Sequence, residues 1–202
     1  SIGLGGDVLK ARNRAWVLSS WQVVVGEYAK MGKEIKITTI PYEFKGFMGM
    51  RNFIIQDSEG RKLAWANSNW THLDISTGLP ARLTLADTDN YVLGEKMEMD
   101  YAPRKIKLPE DMIAQEAFTV QKHHLDTNHH VNNCQYVCMA EDFLPESFKI
   151  YQMRAEYKMQ AKLGDVICPK VKTKTDKVVV SLDNIEGKAY AIVEFLKKEG
   201  DI

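Results

Sequence analysis

The chain has 202 residues, and its 27 basic and 27 acidic side chains leave no net charge; 45% of it is apolar. That length and apolar content suffice for one large domain or two small ones with packed cores. Zero net charge argues against bulk nucleic-acid binding, no apolar run approaches membrane-spanning length, and the N-terminus lacks the charged-then-apolar pattern of a signal peptide.

Gly3-Leu4-Gly5-Gly6 opens the chain and leads into a short helical piece, Asp7 to Arg12. A glycine-rich start invites a dinucleotide reading, but no strand precedes it and the spacing is wrong. Four strand-like runs follow: Ala15 to Val25, Glu34 to Phe44, Met48 to Gln56 and Lys62 to Leu73. Asp57-Ser58-Glu59-Gly60 forms a hairpin turn between the last two. Trp16, Trp21, Trp65 and Trp70 are expected mainly in the core. Thr84 to Ile113, charge-rich and containing Pro103 and Pro109, reads as a linker.

After a strand at Phe118 to His123 comes a polar loop, His124 to Asn132, that concentrates a carboxylate, amides and imidazoles. A helix follows. Asn132 is suited to cap it, with Gln135 placed to close a capping box. Tyr136, Met139, Ala140 and Phe143 recur at helical spacing, and Pro145 stops the run. Polar side chains are thus delivered onto a helix N-terminus, where free N–H groups and the helix dipole favour developing negative charge. Cys134, Cys138 and Cys168 are an odd set, two of them one helical turn apart; no disulfide framework is expected, and a reducing cytoplasm is.

Phe148 to Ala161 then alternates, with Tyr151, Met153, Ala155, Tyr157, Met159 and Ala161 on one face and Gln152, Arg154, Glu156, Lys158 and Gln160 on the other. This is the pattern of a half-buried antiparallel strand. Val166 to Lys174, Lys177 to Leu182 and Lys188 to Leu196 complete the set, with a turn at Asp183 to Gly187. The two sets of strands read as one unit used twice. Ala29-Lys30-Met31-Gly32 parallels Ala161-Lys162-Leu163-Gly164, and Glu59-Gly60-Arg61-Lys62 parallels Glu186-Gly187-Lys188. On that reading the first strand and helix of unit one would fall largely before Ser1. Each unit would be a sheet wrapped around a helix.

Simpler roles compete for the loop. Asp126-x-Asn128 is also the pattern of an Asx-turn ending in a helix cap. His123, His124, His129 and His130 lack the helical spacing of zinc motifs, so no metal site is expected. His129 is expected at the surface, Cys134 and Cys138 as small core residues of the helix, and Glu141 at the surface. Lys170, Lys172 and Lys174 share one strand face, which a solvated outer surface explains as well as a docking role does.

Leu125-Asp126-Thr127-Asn128-His129-His130-Val131-Asn132-Asn133, followed by Tyr136, resembles the signature of the acyl-acyl carrier protein thioesterases, Asp-x-Asn-x-His-Val-Asn-Asn and then Tyr. Trp16-Val17-Leu18 with Trp21-Gln22-Val23, and Gly49-Met50-Arg51, are similar to that family's first-half landmarks. The resemblance implies an α+β fold of tandem hot-dog domains, with antiparallel sheets each wrapped around a central helix. Residues 1–83 would be the N-terminal unit, incomplete at its start, 84–113 the linker and 114–202 the C-terminal unit. The first half would shape the acyl pocket, with one or two of the tryptophans lining it, and the second half would carry the chemistry. The activity implied is hydrolysis of fatty acyl thioesters on acyl carrier protein in fatty acid biosynthesis. No cofactor, nucleic acid or membrane span enters. The two units form an internal pseudo-dimer, with further oligomerisation open.

Carried over by position, Asp126, Asn128 and His130 are the expected catalytic set. Asp126 is suited to attack or position water, His130 to general-base work, and Asn128 to orient the carboxylate or donate to the thioester carbonyl. N–H groups near Val131, Asn132 and Asn133 are candidates for an oxyanion hole. Plant members carry a Glu-Cys pair shortly after a Glu-Tyr; here Glu156-Tyr157-Lys158-Met159 leads to Gln160-Ala161, without the charge or the thiol. Gln160 is the candidate positioning residue there, though strand parity places it beside Arg154 and Lys158 unless a bulge turns it. Carrier proteins are acidic, so Lys170, Lys172 and Lys174, or Arg104 and Lys105 with Lys107, are candidates for docking one. The alternatives are an acyl-coenzyme A thioesterase and a non-catalytic acyl-binding hot-dog protein.

Overall fold

A computed structural model of the chain describes residues 5–197, so Gly3 and Leu4 of the glycine-rich start lie outside the described residues. The chain divides into two compact units whose boundary falls between Ala102 and Pro103.

The first unit opens with the short helix α1 (Gly6–Ala11) and continues as β1 (Arg14–Val25), β2 (Ile35–Lys45), β3 (Met48–Asp57) and β4 (Lys62–Asp74). These strands form an antiparallel sheet in the order β2-β3-β4-β1. The turn between β3 and β4 is built as its residues dictate. Asp57 Oδ1 accepts from the N–H groups of Glu59 (3.0 Å) and Arg61 (2.9 Å), and Gly60 takes φ +84°, a left-handed conformation that glycine adopts without steric cost.

One face of this sheet is covered by the chain from Met97 to Ala102, which has no regular structure of its own. Two polar side chains hold it. Gln22 donates to the Asp100 carbonyl (2.7 Å) and accepts from the Ala102 N–H (2.9 Å). Fully buried Asn52 accepts from the Met97 N–H and the Tyr101 hydroxyl, both at 3.1 Å; within the sheet, Asn67 accepts from the Tyr42 hydroxyl (2.8 Å). Buried amides are thereby satisfied by backbone that would otherwise need water. The opposite face presents Phe53, the next residue along β3, with Trp16, Phe44 and Trp70 around an open groove of about 350 Å³. All four tryptophans are half-buried, and Trp16 and Trp70 line this groove. The helix α2 (Leu85–Thr88) is fixed by a capping box between Thr84 and Asp87. Fully buried His72 lies between the Ala81 carbonyl (Nδ1, 3.1 Å) and the Asp87 carboxylate (Nε2, 3.9 Å).

The second unit contains β5 (Ile113–Ala114), β6 (Phe118–Thr119), a 3-10 turn at Lys122–His124, α3 (Asn133–Glu141), β7 (Ile150–Tyr157), β8 (Val166–Thr173), β9 (Lys177–Asp183) and β10 (Ala189–Lys197). Its antiparallel sheet runs β7-β10-β9-β8-β5, with β6 also paired to β8. The helix packs on β9 and β10 through its buried residues Tyr136, Met139 and Ala140. The sheet's other face carries a cluster of Ile106, Val179 and Ile192 with Met112. With both faces covered, β9 is buried from Val178 to Asp183, which is why Val178-Val179-Val180 is a continuous apolar run and not an alternating one. Each such valine or isoleucine withdrawn from water contributes about 1.5–3 kcal/mol.

Two expected strands are shorter in the structure. The Phe118 to His123 strand ends at Thr119, because His124 Nδ1 accepts from the Gln121 N–H (3.0 Å) and closes a turn. The Phe148 to Ala161 strand is ordered as β7 only to Tyr157. There the N–H groups of Lys158 (2.8 Å) and Met159 (3.2 Å) both donate to the Tyr190 carbonyl, an irregularity that ends the alternation. The cysteines differ too. Cys134 and Cys138 are exposed and not core, since α3 turns Tyr136, Met139 and Ala140 to the sheet, and all three cysteines are free thiols.

Candidate active site

The loop before α3 is a narrow hairpin closed by backbone pairing. Leu125 and Val131 face each other in an antiparallel bridge, and Asp126 N–H donates to the His130 carbonyl at 2.8 Å. His129 N–H returns to the Asp126 carbonyl (3.1 Å) with His129 at φ +61°, a left-handed conformation in which histidine is over-represented among non-glycine residues. The reversal brings the Asp126 carboxylate onto the Asn128 side chain and the backbone of His130. Asp126 Oδ1 accepts from the N–H of Asn128 (2.8 Å) and of His130 (3.3 Å), and Oδ2 lies 3.4 Å from the Asn128 amide nitrogen. The Asx-turn and the clustering of Asp126, Asn128 and His130 are therefore the same object.

Electrostatics follow from those bonds. Partial burial pushes the Asp126 carboxyl upward, but the two backbone N–H donors, the Asn128 amide and the neighbouring His130 ring outweigh it and hold it below the usual carboxylate range. Asp126 and His130 are half-buried, while Thr127, Asn128 and His129 are exposed. Among the described residues, no group of three or more histidine, cysteine or acidic side chains is gathered as metal ligands would be.

The loop is tied to its surroundings on both sides. Val131 N–H donates to the Ala161 carbonyl (2.9 Å), His130 pairs with Lys162, and Asn132 N–H donates to the His124 carbonyl (2.9 Å). Asn132 caps α3, its side chain accepting from the Cys134 N–H (2.9 Å). Gln135 meets the cap through its own N–H on the Asn132 carbonyl (2.8 Å), so the expected capping box is replaced by a simpler cap. Tyr136, 1% exposed, accepts the Ala161 N–H (2.8 Å), and burial pushes its hydroxyl up to about 12. Tyr157 donates to the Asn133 carbonyl (3.1 Å). Neither tyrosine nor Ala161 appeared as a supporting group in the sequence, although Tyr136 belongs to the signature and Tyr157 follows Glu156.

Three N–H groups were candidates for an oxyanion hole. Those of Val131 and Asn132 are bonded to carbonyls within the chain; that of Asn133, the first residue of α3, finds no acceptor among the described residues. Gln160 is exposed and sits beside Ala161, whose carbonyl holds Val131. The irregularity after β7 means that strand parity no longer sets its direction. Of the docking candidates, Lys170 is ion-paired to Asp183 at 2.9 Å and Lys172 to Asp111. Lys172 and Lys174 share a groove with Lys105 and Lys107.

Comparison with known proteins adds to this geometry. The model of the acyl-ACP thioesterase N-terminal domain matches residues 1–89, and that of the C-terminal domain matches residues 107–194. A palmitoyl-acyl carrier protein thioesterase of Arabidopsis thaliana, named as chloroplastic, is 25% identical over 168 residues. The match takes in 77% of this chain and 40% of that relative, so the chain spans well under half the length of the curated relative. Among solved structures, an acyl-ACP thioesterase from Bacteroides thetaiotaomicron superposes with TM-score 0.86 at 19% identity, over 97% of this chain and 82% of that one. A 12:0-ACP thioesterase from Umbellularia californica gives 0.85 at 18% identity, over 98% and 83%. At such identities the superpositions speak for fold, and they agree with the tandem hot-dog architecture expected from the sequence. With both halves matched by the family's own models and this fold beneath them, the chain belongs to the acyl-ACP thioesterase family.

Proposed function

We propose that this chain hydrolyses fatty acyl thioesters of acyl carrier protein, releasing free fatty acid and the carrier thiol in fatty acid biosynthesis. The observation that carries the reading is the Asp126–His130 turn just ahead of α3, in which the carboxylate is held anionic by the N–H groups of Asn128 and His130. A thioester asks little of an acid, because a thiolate leaves readily. What it requires is an activated water and a stabilised carbonyl oxygen. In this reading His130 accepts a proton from water as the oxygen bonds to the acyl carbon. Asp126, held anionic, orients the ring and balances the charge that it gains. The unbonded Asn133 N–H and the dipole of α3 face the developing oxyanion, and the intermediate collapses by breaking the carbon–sulfur bond. Gln160 is a positioning residue at most, since it offers neither charge nor thiol.

The apolar groove of the first unit, with Trp16, Phe44, Phe53 and Trp70, supports a role for that half in choosing the acyl chain. Three free cysteines support the reducing cytoplasm expected from the sequence, and no helix among the described residues is long and apolar enough to cross a membrane. The test is a panel of acyl carrier protein and coenzyme A thioesters of graded chain length, followed by free-thiol release. Faster turnover of the carrier-bound series is the expected result. Preference for the coenzyme A series would make the chain an acyl-coenzyme A thioesterase, and no turnover of either would leave an acyl-binding protein.

A further inference from the structure

A second concavity lies in the second unit, on the sheet face opposite α3. It is a trough of about 400 Å³ with Lys105 and Lys107 on one side and Lys172, Lys174 and Lys177 on the other, over Leu108 and Val179. Its charge is partly compensated. Lys177 pairs with Glu194 at 3.0 Å and Lys172 with Asp111. Lys105, Lys107 and Lys174 have no carboxylate within ion-pair distance among the described residues. Three ammonium groups outside any close ion pair, Lys174 still within the field of Asp111, thus gather around an apolar floor, although the protein as a whole carries no net charge.

The kind of charge limits the ligand. The trough's one guanidinium, Arg154, is committed: it donates to Glu194 (2.7 Å) and to the carbonyls of Pro103 and Lys105. Among the described residues lining the trough, no free planar fork remains for bidentate phosphate recognition. What remains are flexible point charges spread along two lips, which match a broad acidic surface better than a compact diphosphate. We infer that this trough docks the acidic carrier protein, with Lys105, Lys107 and Lys174 as its principal contacts. The inference rests on the function proposed above for its choice of partner. It draws on both sets offered by the sequence, Lys105 and Lys107 from one and Lys174 from the other, and leaves aside Lys170 and Lys172, which are tied to Asp183 and Asp111.

The test separates docking from catalysis by using unacylated carrier protein, which offers no thioester. Binding of that carrier to the full chain is titrated at low and high salt, for the parent and for the combined Lys105→Glu, Lys107→Glu and Lys174→Glu variant. Parallel thermal melts establish that the variant folds, and a Lys33→Glu, Lys36→Glu variant in the first unit serves as a charge control. The expected result is parent binding that weakens with salt, at least about tenfold weaker binding in the triple variant, and parent-like binding in the control. On acylated carrier the triple variant should raise KM and spare kcat. Undetectable parent binding, triple-variant binding equal to the parent, or equal losses on acyl-carrier protein and on a short acyl N-acetylcysteamine thioester would each overturn the inference. Should the parent hydrolyse no thioester while still binding carrier through these lysines, docking stands and the hydrolase reading falls.

Discussion

At the scale of single residues, Asp126 shows how one side chain can be a structural cap and a chemical group at once. The backbone N–H groups of Asn128 and His130 that make it an Asx-turn residue also lower its proton affinity. Its folded-state pKa therefore lies below its unfolded value. The stability it contributes is complete above the ordinary carboxylate range and is lost as pH falls through that range to the folded value. Asp126→Asn should accordingly melt earlier than the parent at neutral pH, with the gap closing in strong acid; a gap that is constant with pH would contradict this. Gln160→Ala, by contrast, should cost less than about tenfold in kcat/KM, because Gln160 supplies no proton and no charge. A loss as large as that from removing the imidazole would make Gln160 a substitute for the missing carboxylate.

At the scale of elements, the active loop depends on α3 and on the stretch after β7. Tyr136→Phe keeps the ring but removes the acceptor of the Ala161 N–H, leaving a buried donor unpaired at a cost of about 1–3 kcal/mol. Because the Ala161 carbonyl holds Val131, turnover should fall together with the melting temperature; a variant as stable and as active as the parent would show that this tie is idle. In the first unit, Asp74 closes the β1–β4 end by accepting from Ser76, Thr77 and Arg14. The Ser76 hydroxyl is the largest influence and, against the opposing effect of burial, it joins the Thr77 N–H and the Arg14 charge in bringing the carboxyl from 3.8 to about 2. Its contribution is therefore present above pH 3.8 and is lost as pH falls through about 2, so Asp74→Asn should abolish that part of the acid unfolding transition and leave the neutral-to-alkaline slope unchanged.

These elements also mark how far sequence can be read. The strands and the Asp57 to Gly60 turn were legible because alternation and turn chemistry are local. The signature loop was legible as a pattern, and its Asx-turn as a geometry. Three features were not. The end of β7 is set by the Tyr190 carbonyl on another strand, the exposure of Cys134 and Cys138 by which face of α3 meets the sheet, and the bonding of the Val131 and Asn132 N–H groups by distant carbonyls. The covering stretches from Met97 to Ala102 and from Pro103 to Met112 have no periodicity to read, since sheet side chains such as Gln22, Asn52 and Glu156 hold them by their backbone.

At the scale of the whole molecule, the proposed division of labour gives the chain choice to the first unit and the chemistry to the second. Gly49 tests the first assignment. A Cβ there would stand 3.1 Å from Phe44 and from Trp16, so a valine must displace two rings that line the groove and take up part of its space. Gly49→Val should lower kcat/KM for long acyl chains by about tenfold relative to short ones; an equal effect at every length would remove the groove from substrate selection. The central claim, that the Asp126–His130 turn at the head of α3 cleaves a carrier-bound thioester, is tested most directly by free-thiol release from acyl carrier protein with Asp126→Asn and His130→Ala. Each should lose at least about a hundredfold in turnover while remaining folded at the assay temperature. Parent-like release by both folded variants would contradict the account.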